Sequence, residues 1–261
     1  SVLCAGGEYI HYGTDDYTSL LLHLNEVSDN STPDDSQFNH TCHVHSAAVE
    51  SGAFGKCLDF TGGGLAEVPF HPSLQPQRDF TLETWVWLEK ESPELQRIVF
   101  RSGIYGFYVG ANSTSVKFFL RAGGEWEAVS ADIPVKQWVH LAGVYDGETM
   151  KLYVDGELAS SLEKSGDLDD VTNSLRIGAN DASGRYGLNG KVDEVRLSLA
   201  ARESFDPEKK LTYEPTASFE PLPDFTKLTG THRHRMTITR TKRTPSIDGE
   251  IKEDFWRLHE P

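Results

Sequence analysis

Short stretches of β-branched and aromatic residues, each bounded by Gly, Asn, Asp or Pro, recur along most of this chain. The clearest example covers residues 138–145, followed by Asp-Gly at 146–147, by residues 150–154 and by a second Asp-Gly at 155–156. Asp-Gly supplies the positive-φ residue that a hairpin turn requires. The pattern is therefore typical of antiparallel strands joined by tight turns.

The same pattern predicts about a dozen strands before residue 200. They lie near residues 18–25, 41–49, 56–60, 65–68, 80–88, 97–102, 106–110, 115–121, 126–130, 137–145, 149–155, 174–178 and 190–198. No helix of four or more turns is predicted between them, and parallel strands would need long crossover connections. The sequence therefore predicts an all-β fold, an antiparallel two-sheet sandwich. Beyond it, residues 200–210 predict a short helix that Pro207 interrupts or caps.

Length and composition favour one large globular domain, or one domain with part of another. The 261 residues are 38% hydrophobic, and 23 glycines bring the apolar share to about 47%, within the usual globular range. No apolar run approaches the roughly 20 residues needed to cross a bilayer, and Ser1 is not followed by a basic and then apolar leader. We therefore expect no membrane span.

Charge is distributed unevenly along the chain. Residues 1–226 hold 17 basic and 35 acidic groups, a net charge of −18, whereas the remainder is +3. A body with this negative charge repels phosphate backbones, which argues against nucleic-acid binding. The same charge disfavours binding of strongly anionic polysaccharides unless a cation bridges them to the protein. The basic run at 227–243 is either a nucleic-acid arm or, as we expect, a segment that neutralises the acidic body or remains solvated.

Three cysteines cannot all pair within one chain, and none has a C-x-x-C spacing. Cys42 and Cys57 lie in two consecutive predicted strands. If those strands are antiparallel neighbours, a Cys42–Cys57 disulfide forms, while two buried free thiols are the alternative. Cys4 is left without a partner.

Several segments resemble a laminin-G-like domain of the concanavalin A-like jelly-roll group, particularly the bacterial branch attached to carbohydrate-active enzymes. They occur in the family's order and spacing across residues 17–202. The matching segments are LLLHLNE (20–26), DSQFNHT (35–41), FGKCLDF (54–60), DFTLETWV (79–86), residues 138–147, residues 152–156 and GKVDEVR (190–196). The resemblance implies a jelly-roll sandwich with an irregular C-terminal extension.

A second resemblance lies in the tail. The segment PSIDGEIKEDFW at 245–256 is similar to the opening of family 9-like carbohydrate-binding modules. Together the two resemblances predict an N-terminal extension (1–16), a laminin-G-like domain (17–202), a linker (203–235) and the truncated start of a second β-rich domain (236–261). They imply a multidomain, secreted protein, extracellular or periplasmic, in which neighbouring domains of the same polypeptide are partners.

The resemblance also implies a structural calcium ion between the loop after the first core strand and the last strand. By position it nominates Glu26, Asp35 and Asp193, with backbone oxygens near Asn39. Calcium takes six to eight such oxygen ligands. The loop departs from the family's G-N-G core, since residues 37–39 are Gln-Phe-Asn. Three ordinary acidic surface residues are the alternative interpretation.

Carbohydrate sites combine aromatic faces with side chains that hydrogen-bond sugar hydroxyls. Trp87 takes a position where the family usually has a polar residue, and Trp126 and Tyr186 lie beside glycine turns. We therefore predict that they include a sugar-stacking platform, with Arg185 and Asp181 as polar contacts. Packing beneath a loop is the alternative for each ring.

Catalysis is not expected. The glucanase branch of the jelly rolls carries E-x-D-x-x-E on one strand, and no such triplet is present. Asp193 and Glu194 are adjacent and would point to opposite faces of a strand. The sequence predicts a non-catalytic module that binds polysaccharide or glycoconjugate glycan within a larger polysaccharide-processing protein. A protein-interaction or adhesion module is the second hypothesis, and a glycoside hydrolase or lyase is the third.

Overall fold

The computed structural model describes residues 8–10, 12–207 and 211–213. It contains two large antiparallel sheets stacked on one hydrophobic core, and its one short helical turn is the 3-10 helix Pro72–Leu74. The predicted all-β, two-sheet sandwich is therefore confirmed. Within these ranges no helix is long and apolar enough to span a membrane.

Sheet 1 has eight strands in the order β12-β11-β10-β9-β16-β7-β4-β3. Its members are β3 (Ser31–Thr32), β4 (Cys42–His45), β7 (Leu65–Val68), β9 (Gln96–Arg101), β10 (Tyr105–Val109), β11 (Ser115–Ala122), β12 (Glu125–Asp132) and β16 (Leu175–Ile177). Every pairing in it is antiparallel.

Sheet 2 runs in the order β15-β14-β13-β8-β17-β6-β5, and β2 also pairs with β17. Its members are β2 (Thr18–Leu22), β5 (Ala48–Ser51), β6 (Lys56–Asp59), β8 (Phe80–Leu88), β13 (Trp138–Tyr145), β14 (Thr149–Val154), β15 (Glu157–Glu163) and β17 (Gly190–Ser198). A separate two-stranded pair joins β1 (Glu8–Ile10) to β18 (Leu211–Tyr213).

The predicted strands at 65–68, 80–88 and 190–198 have the observed bounds. The predicted strand at 41–49 is instead two strands, β4 in sheet 1 and β5 in sheet 2. The sequence prediction missed β15, because this strand lies at the edge of sheet 2 and six of its seven residues are exposed, leaving no apolar alternation.

The helix predicted at 200–210 is wrong over residues 200–207, which are irregular, and residues 208–210 lie outside the described ranges. Tertiary contacts hold the segment on sheet 2. Arg202 N–H donates to Thr81 Oγ1 at 2.9 Å, and the Phe205 ring lies 4.8 Å from that of Tyr153. The predicted linker (203–235) is described in part: residues 203–207 are irregular, and residues 211–213 form β18. The rest of the linker and the predicted second domain (236–261) lie outside the described residues.

The core between the sheets follows from strand alternation. On β8, Leu82 and Val86 enter the core, so Glu83 and Trp85 face away from it. On β11, Phe118 enters the core, so Phe119 faces away. The two adjacent aromatics of β11 thus lie on opposite faces of sheet 1.

The β14–β15 hairpin confirms one predicted turn. Asp155 and Gly156 have φ values of 49° and 84°. Two consecutive positive φ angles are characteristic of the type I′ turn that Asp-Gly favours.

Cys42 and Cys57 are buried free thiols. Cys42 lies on β4 in sheet 1, and Cys57 lies on β6 in sheet 2. Of the two alternatives, the structure excludes neighbouring strands, because β4 pairs with β3 and β7 whereas β6 pairs with β5 and β17. The structure therefore has the two buried thiols rather than the Cys42–Cys57 disulfide. Burial raises the pKa of both thiols to about 12, so they remain protonated and unreactive at neutral pH.

Candidate functional site

The outer face of sheet 1 carries a cluster of aromatic rings and cations on four neighbouring strands. Strand register places Arg121 opposite Trp126, Lys117 opposite Tyr108, and Tyr108 opposite Arg97. We call this surface the aromatic–arginine face and define it by Arg97, Tyr108, Lys117, Phe119 and Trp126. Trp126 is its most exposed ring, with 50% of its surface accessible.

The rings of this face form a continuous chain. The Tyr108 and Phe119 centroids are 5.6 Å apart, and those of Phe119 and Trp126 are 5.7 Å apart. Arg121 lies 5.9 Å from the Trp126 centroid, and its Nε is 3.0 Å from Asp169 Oδ2. An exposed tryptophan supported from below by a buried phenylalanine offers a flat apolar surface to a ligand.

Arg97 lies at the centre of the aromatic–arginine face. Its guanidinium carbon is 4.8 Å from the Phe100 centroid and 5.4 Å from those of Tyr108 and Phe119. These distances are within the range of cation–π attraction. Burial lowers the pKa of Arg97, against the opposing influence of Tyr108 and Tyr186. Its Nε is buried and donates to no acceptor in the described part of the chain.

The loop carrying Asp181, Arg185 and Tyr186 adjoins this face. The Arg97 backbone N–H donates to the Tyr186 carbonyl at 2.9 Å. The Arg185 guanidinium lies 4.7 Å from the Tyr186 centroid, and its Nη2 donates to the Tyr186 hydroxyl. The Asp181 carboxylate is engaged within its own loop, because it accepts hydrogen bonds from the backbone and hydroxyl of Ser183, which hold its pKa below the ordinary value.

Trp87 lies on the outer face of sheet 2, away from Trp126 and Tyr186. Its ring packs edge-to-face against Trp138 at 6.0 Å, and its Nε1 donates to Glu89 Oε2 at 3.1 Å. Trp85 also faces outward from sheet 2, yet it is 91% buried against Phe54 and His140. The structure therefore brings two of the three predicted platforms to one region and places Trp87 elsewhere.

The outer face of sheet 2 also carries a buried polar cluster. It is formed by Tyr12, Glu83, His140 and Arg196. Glu83 Oε2 is 2.6 Å from Arg196 Nη2, and His140 Nε2 is 2.8 Å from the Tyr12 hydroxyl. Burial opposes ionisation of Glu83, but hydrogen bonding to His140 and the charge of Arg196 outweigh it, so the Glu83 pKa is lowered. The Arg196 guanidinium carbon also lies 4.1 Å from the centroid of the Tyr12 ring. The cluster therefore holds the segment near residue 12 against sheet 2.

Asp193 and Glu194 interrupt β17 at a bulge. The register of β17 against β8 shifts between Asp193 and Arg196, and Glu194 has a φ of 51°. The expectation that the two carboxylates point to opposite faces is therefore wrong, because a bulge breaks strand alternation. Glu194 Oε2 lies 2.8 Å from His23 Nδ1, while Asp193 Oδ2 accepts the Phe54 N–H at 2.9 Å.

The three nominated calcium ligands have different environments. Glu26 is exposed, the Asp35 carboxylate lies 3.2 Å from His23 Nε2, and Asp193 is fully buried. Burial and the neighbouring Glu194 raise the Asp193 pKa well above its ordinary value, and Asp193 Oδ1 accepts no hydrogen bond from any described residue. No group of three His, Cys, Asp or Glu side chains with metal-binding geometry occurs among the described residues.

Asp34, which the sequence did not single out, organises the loop after β2. Its carboxylate accepts hydrogen bonds from the backbone N–H groups of Leu21, Ser36 and His40 and from the Ser36 hydroxyl. These bonds hold residues 34–40 against β2 without the glycines that the family uses. Asp35 is consequently fixed beside His23.

A jelly-roll sandwich of two antiparallel sheets is the architecture of lectin-like binding domains and of the glucanases related to them. Residues 60–204 match the family model described as the concanavalin A-like lectin/glucanases superfamily. The chain belongs to this superfamily.

Among the similar proteins, mouse pappalysin-1 is 30% identical over an alignment of 140 residues that covers 46% of this chain and 9% of pappalysin-1. The chain thus spans less than a tenth of that relative.

Two solved structures share the fold. The binding domain of Paraclostridial Mosquitocidal Protein 1 is 12% identical, has a TM-score of 0.59, and aligns over 72% of this chain and 50% of its own. Domain 4 of the extracellular GH43 arabinanase AbnA from Geobacillus stearothermophilus, in complex with arabinotriose, is 16% identical, has a TM-score of 0.52, and aligns over 73% of this chain and 95% of its own.

Four residues of the aromatic–arginine face were not named in the sequence analysis: Arg97, Tyr108, Lys117 and Phe119. One signal was present: Phe107-Tyr108 and Phe118-Phe119 are adjacent aromatic pairs within strands. Because successive side chains of a strand alternate between faces, each pair must place one ring outside the core.

Proposed function

We propose that this chain is a non-catalytic carbohydrate-binding module of a larger secreted polysaccharide-processing protein, and that the aromatic–arginine face binds the glycan. The observation that carries the proposal is Trp126, a half-exposed tryptophan in line with Phe119 and Tyr108. Rings in this arrangement stack on sugar faces, while Arg97, Lys117 and Arg185 offer donors to sugar hydroxyls. The arabinotriose complex of the fold relative is consistent with this use of the sandwich.

Replacing Trp126 with alanine tests the proposal. We expect glycan affinity to fall by about 1–3 kcal/mol, by analogy with bases stacked on aromatic platforms. Stability should change little, because half of the ring is already exposed. A panel of immobilised neutral and acidic polysaccharides identifies the ligand, and calorimetric titration measures the affinity of each variant.

Trp87→Ala is the matched control, since Trp87 lies on the opposite sheet. It should retain full affinity although it loses the contact with Trp138. Loss of affinity in Trp87→Ala alone would place the binding face on sheet 2 and overturn the assignment to sheet 1. Retention of no polysaccharide by the parent would overturn the carbohydrate-binding proposal itself.

We also propose that calcium stabilises the sandwich through Asp193, Asp35 and Glu26. The buried Asp193 Oδ1, which accepts no hydrogen bond within the described ranges, and the adjacent Glu194 make an oxygen-rich site whose negative charge a hard cation would neutralise. Because the Asp193, Asp35 and Glu26 side chains do not form a metal-binding group among the described residues, backbone carbonyls would have to supply much of the coordination. Bound calcium would supply charge neutralisation and a link between β17 and the loop after β2.

Calcium removal should lower the melting temperature. An ion bound only by the folded state adds RT ln(1 + [L]/Kd), about 2.7 kcal/mol at a hundredfold excess over Kd, or about 5–10 °C for a domain of this size. Thermal melts in calcium and in EDTA measure the difference. Asp193→Asn should abolish it, whereas Asp132→Asn, an exposed control on β12, should retain it. An unchanged midpoint in EDTA would refute the calcium proposal.

Catalysis has little support in the arrangement of carboxylates. Glycosidases need two carboxyl groups that reach the sugar from an accessible site. Glu83, Asp193 and Glu194 are each at most 1% exposed, and Glu83 is held ionised by Arg196 rather than available as an acid. A protein-interaction module using the same face is the remaining alternative, which silence across the polysaccharide panel would favour.

A further inference from the structure

The cations of the aromatic–arginine face differ from the others in the body of the protein. Residues 12–207 contain 15 Lys and Arg and 30 Asp and Glu. Nine of the 15 cations lie within 4 Å of a carboxylate. With carboxylates twice as numerous as cations, an unpaired cation needs an explanation.

Six cations in residues 12–207 form no ion pair with a described carboxylate. Arg101 is buried and donates to the carbonyls of Leu74, Val171 and Asn173 and to Gln75. Lys56, on β6 of sheet 2, and Lys90, in the loop after β8, are exposed. The remaining three are Arg97, Lys117 and Arg185, all on the aromatic–arginine face or the loop beside it.

These three cations are positioned by aromatic rings instead of by carboxylates. Lys117 Nζ lies 5.8 Å and the Arg97 guanidinium 5.4 Å from the same Tyr108 centroid. Arg185 lies over Tyr186, whose hydroxyl is near enough to Arg97 to influence its pKa. A cation held over a ring keeps its outward N–H groups available to an external acceptor.

We infer that the aromatic–arginine face recognises a glycan bearing an isolated acidic sugar, whose carboxylate binds to Arg97 and Lys117 while a neighbouring ring stacks on Trp126. This inference rests on the proposed carbohydrate-binding function and names the ligand class of the same site. A guanidinium presents paired N–H donors that match the two oxygens of a carboxylate.

The acidic body restricts this recognition to weakly charged ligands. A long polyanion extends over many negative surface groups, so the repulsion expected from the net charge of −15 applies to it. A single carboxylate placed among three unpaired cations experiences mainly the local field, because charges beyond about 8 Å are screened at physiological ionic strength. The expectation that strongly anionic polysaccharides are disfavoured is therefore compatible with binding of one acidic sugar.

The test uses the full chain and matched oligosaccharide pairs that differ only in whether one sugar carries a C6 alcohol or a C6 carboxylate, such as xylotriose branched with glucose or with glucuronate. We expect the acidic member to bind about tenfold more tightly or better, since hydrogen bonds to charged groups are the stronger class. Lys117→Met and Arg97→Met should remove this preference, because each should lower affinity for the acidic member much more than affinity for the neutral member. Lys136→Met, which removes a cation paired with Glu89 elsewhere, is the control and should keep the preference.

Each outcome separates the two proposals. Equal affinity for both members of every pair would overturn the acidic-ligand inference and leave the carbohydrate-binding proposal standing. No binding of either member would overturn both. An acidic preference that survives in Lys117→Met and in Arg97→Met, with melts confirming that both variants fold, would place the anion site elsewhere and refute the inference. Binding of single-stranded DNA as tight as that of the acidic glycan would also refute it.

Discussion

Glu83→Ala is expected to lower the free energy of unfolding by about 3–5 kcal/mol, the usual cost of removing one partner from a buried ion pair. The substitution leaves Arg196, whose side chain is 13% exposed, without its carboxylate at 2.6 Å. It also removes the carboxylate 3.7 Å from the fully buried His140. Urea denaturation followed by tryptophan fluorescence measures the change.

Glu148→Ala is the matched control. Glu148 forms an ion pair with Arg78 at 3.8 Å, but the two side chains are 81% and 51% exposed. Exposed pairs contribute about 0–1 kcal/mol, so this variant should be nearly as stable as the parent. A similarly small loss in Glu83→Ala would contradict the buried ion pair.

The Glu83 carboxylate also predicts how the stability of the protein changes at acidic pH. The folded-state pKa of Glu83 is lowered, so the stabilisation is present above the unfolded-state pKa and is lost as pH falls through the lower folded-state value. Glu83→Gln has no proton to gain at this position. Its stability should therefore decline less steeply than that of the parent below about pH 4.

The second large effect is expected in the core. Phe118→Ala should cost about 3–5 kcal/mol, because the ring is fully buried and packs against Phe107 at 5.4 Å and Phe80 at 6.0 Å. Gly143 lies directly beneath the same ring, and a Cβ added there would overlap it. Gly143→Ala alone should therefore cost about 1–3 kcal/mol by overpacking.

The double variant tests this contact. Removing the Phe118 ring removes the obstacle to the methyl group that Gly143→Ala adds, so the double variant should be more stable than the sum of the two single losses predicts. Couplings of about 0.5–3 kcal/mol are typical of residues in contact. Strict additivity in urea denaturation would show that the Phe118 ring does not lie over Gly143.

Regular alternation explains where sequence reasoning succeeded. On β8, apolar residues alternate into the core over nine residues, and this pattern gave the observed strand bounds. Of the candidate site, Trp126, Tyr186 and Arg185 were named from the sequence. Arg97 was missed because the register of β9 against β10 shifts between Gly106 and Tyr108, and such an irregularity leaves no periodic signal.

Long-range contacts explain most of the features that the sequence did not predict. Residues 200–207 have a composition compatible with a helix, but the ion pair of Arg202 with Asp15 and the packing of Phe205 hold them in an irregular path. The pairing of β1 with β18 joins segments about 200 residues apart. Neither contact is encoded in local propensity, which tertiary packing readily overrides.

The position of β17 in sheet 2 has a consequence for biosynthesis. This strand pairs with β8 on one side and with β6 and β2 on the other, so three earlier strands share a single late partner. During synthesis, β2 leaves the ribosome some 170 residues before the strand that completes its hydrogen bonds. Such non-local pairing is slow to form, and the exposed edges of the waiting strands are open to aggregation meanwhile. The nascent sandwich is therefore most vulnerable until residue 198 has emerged.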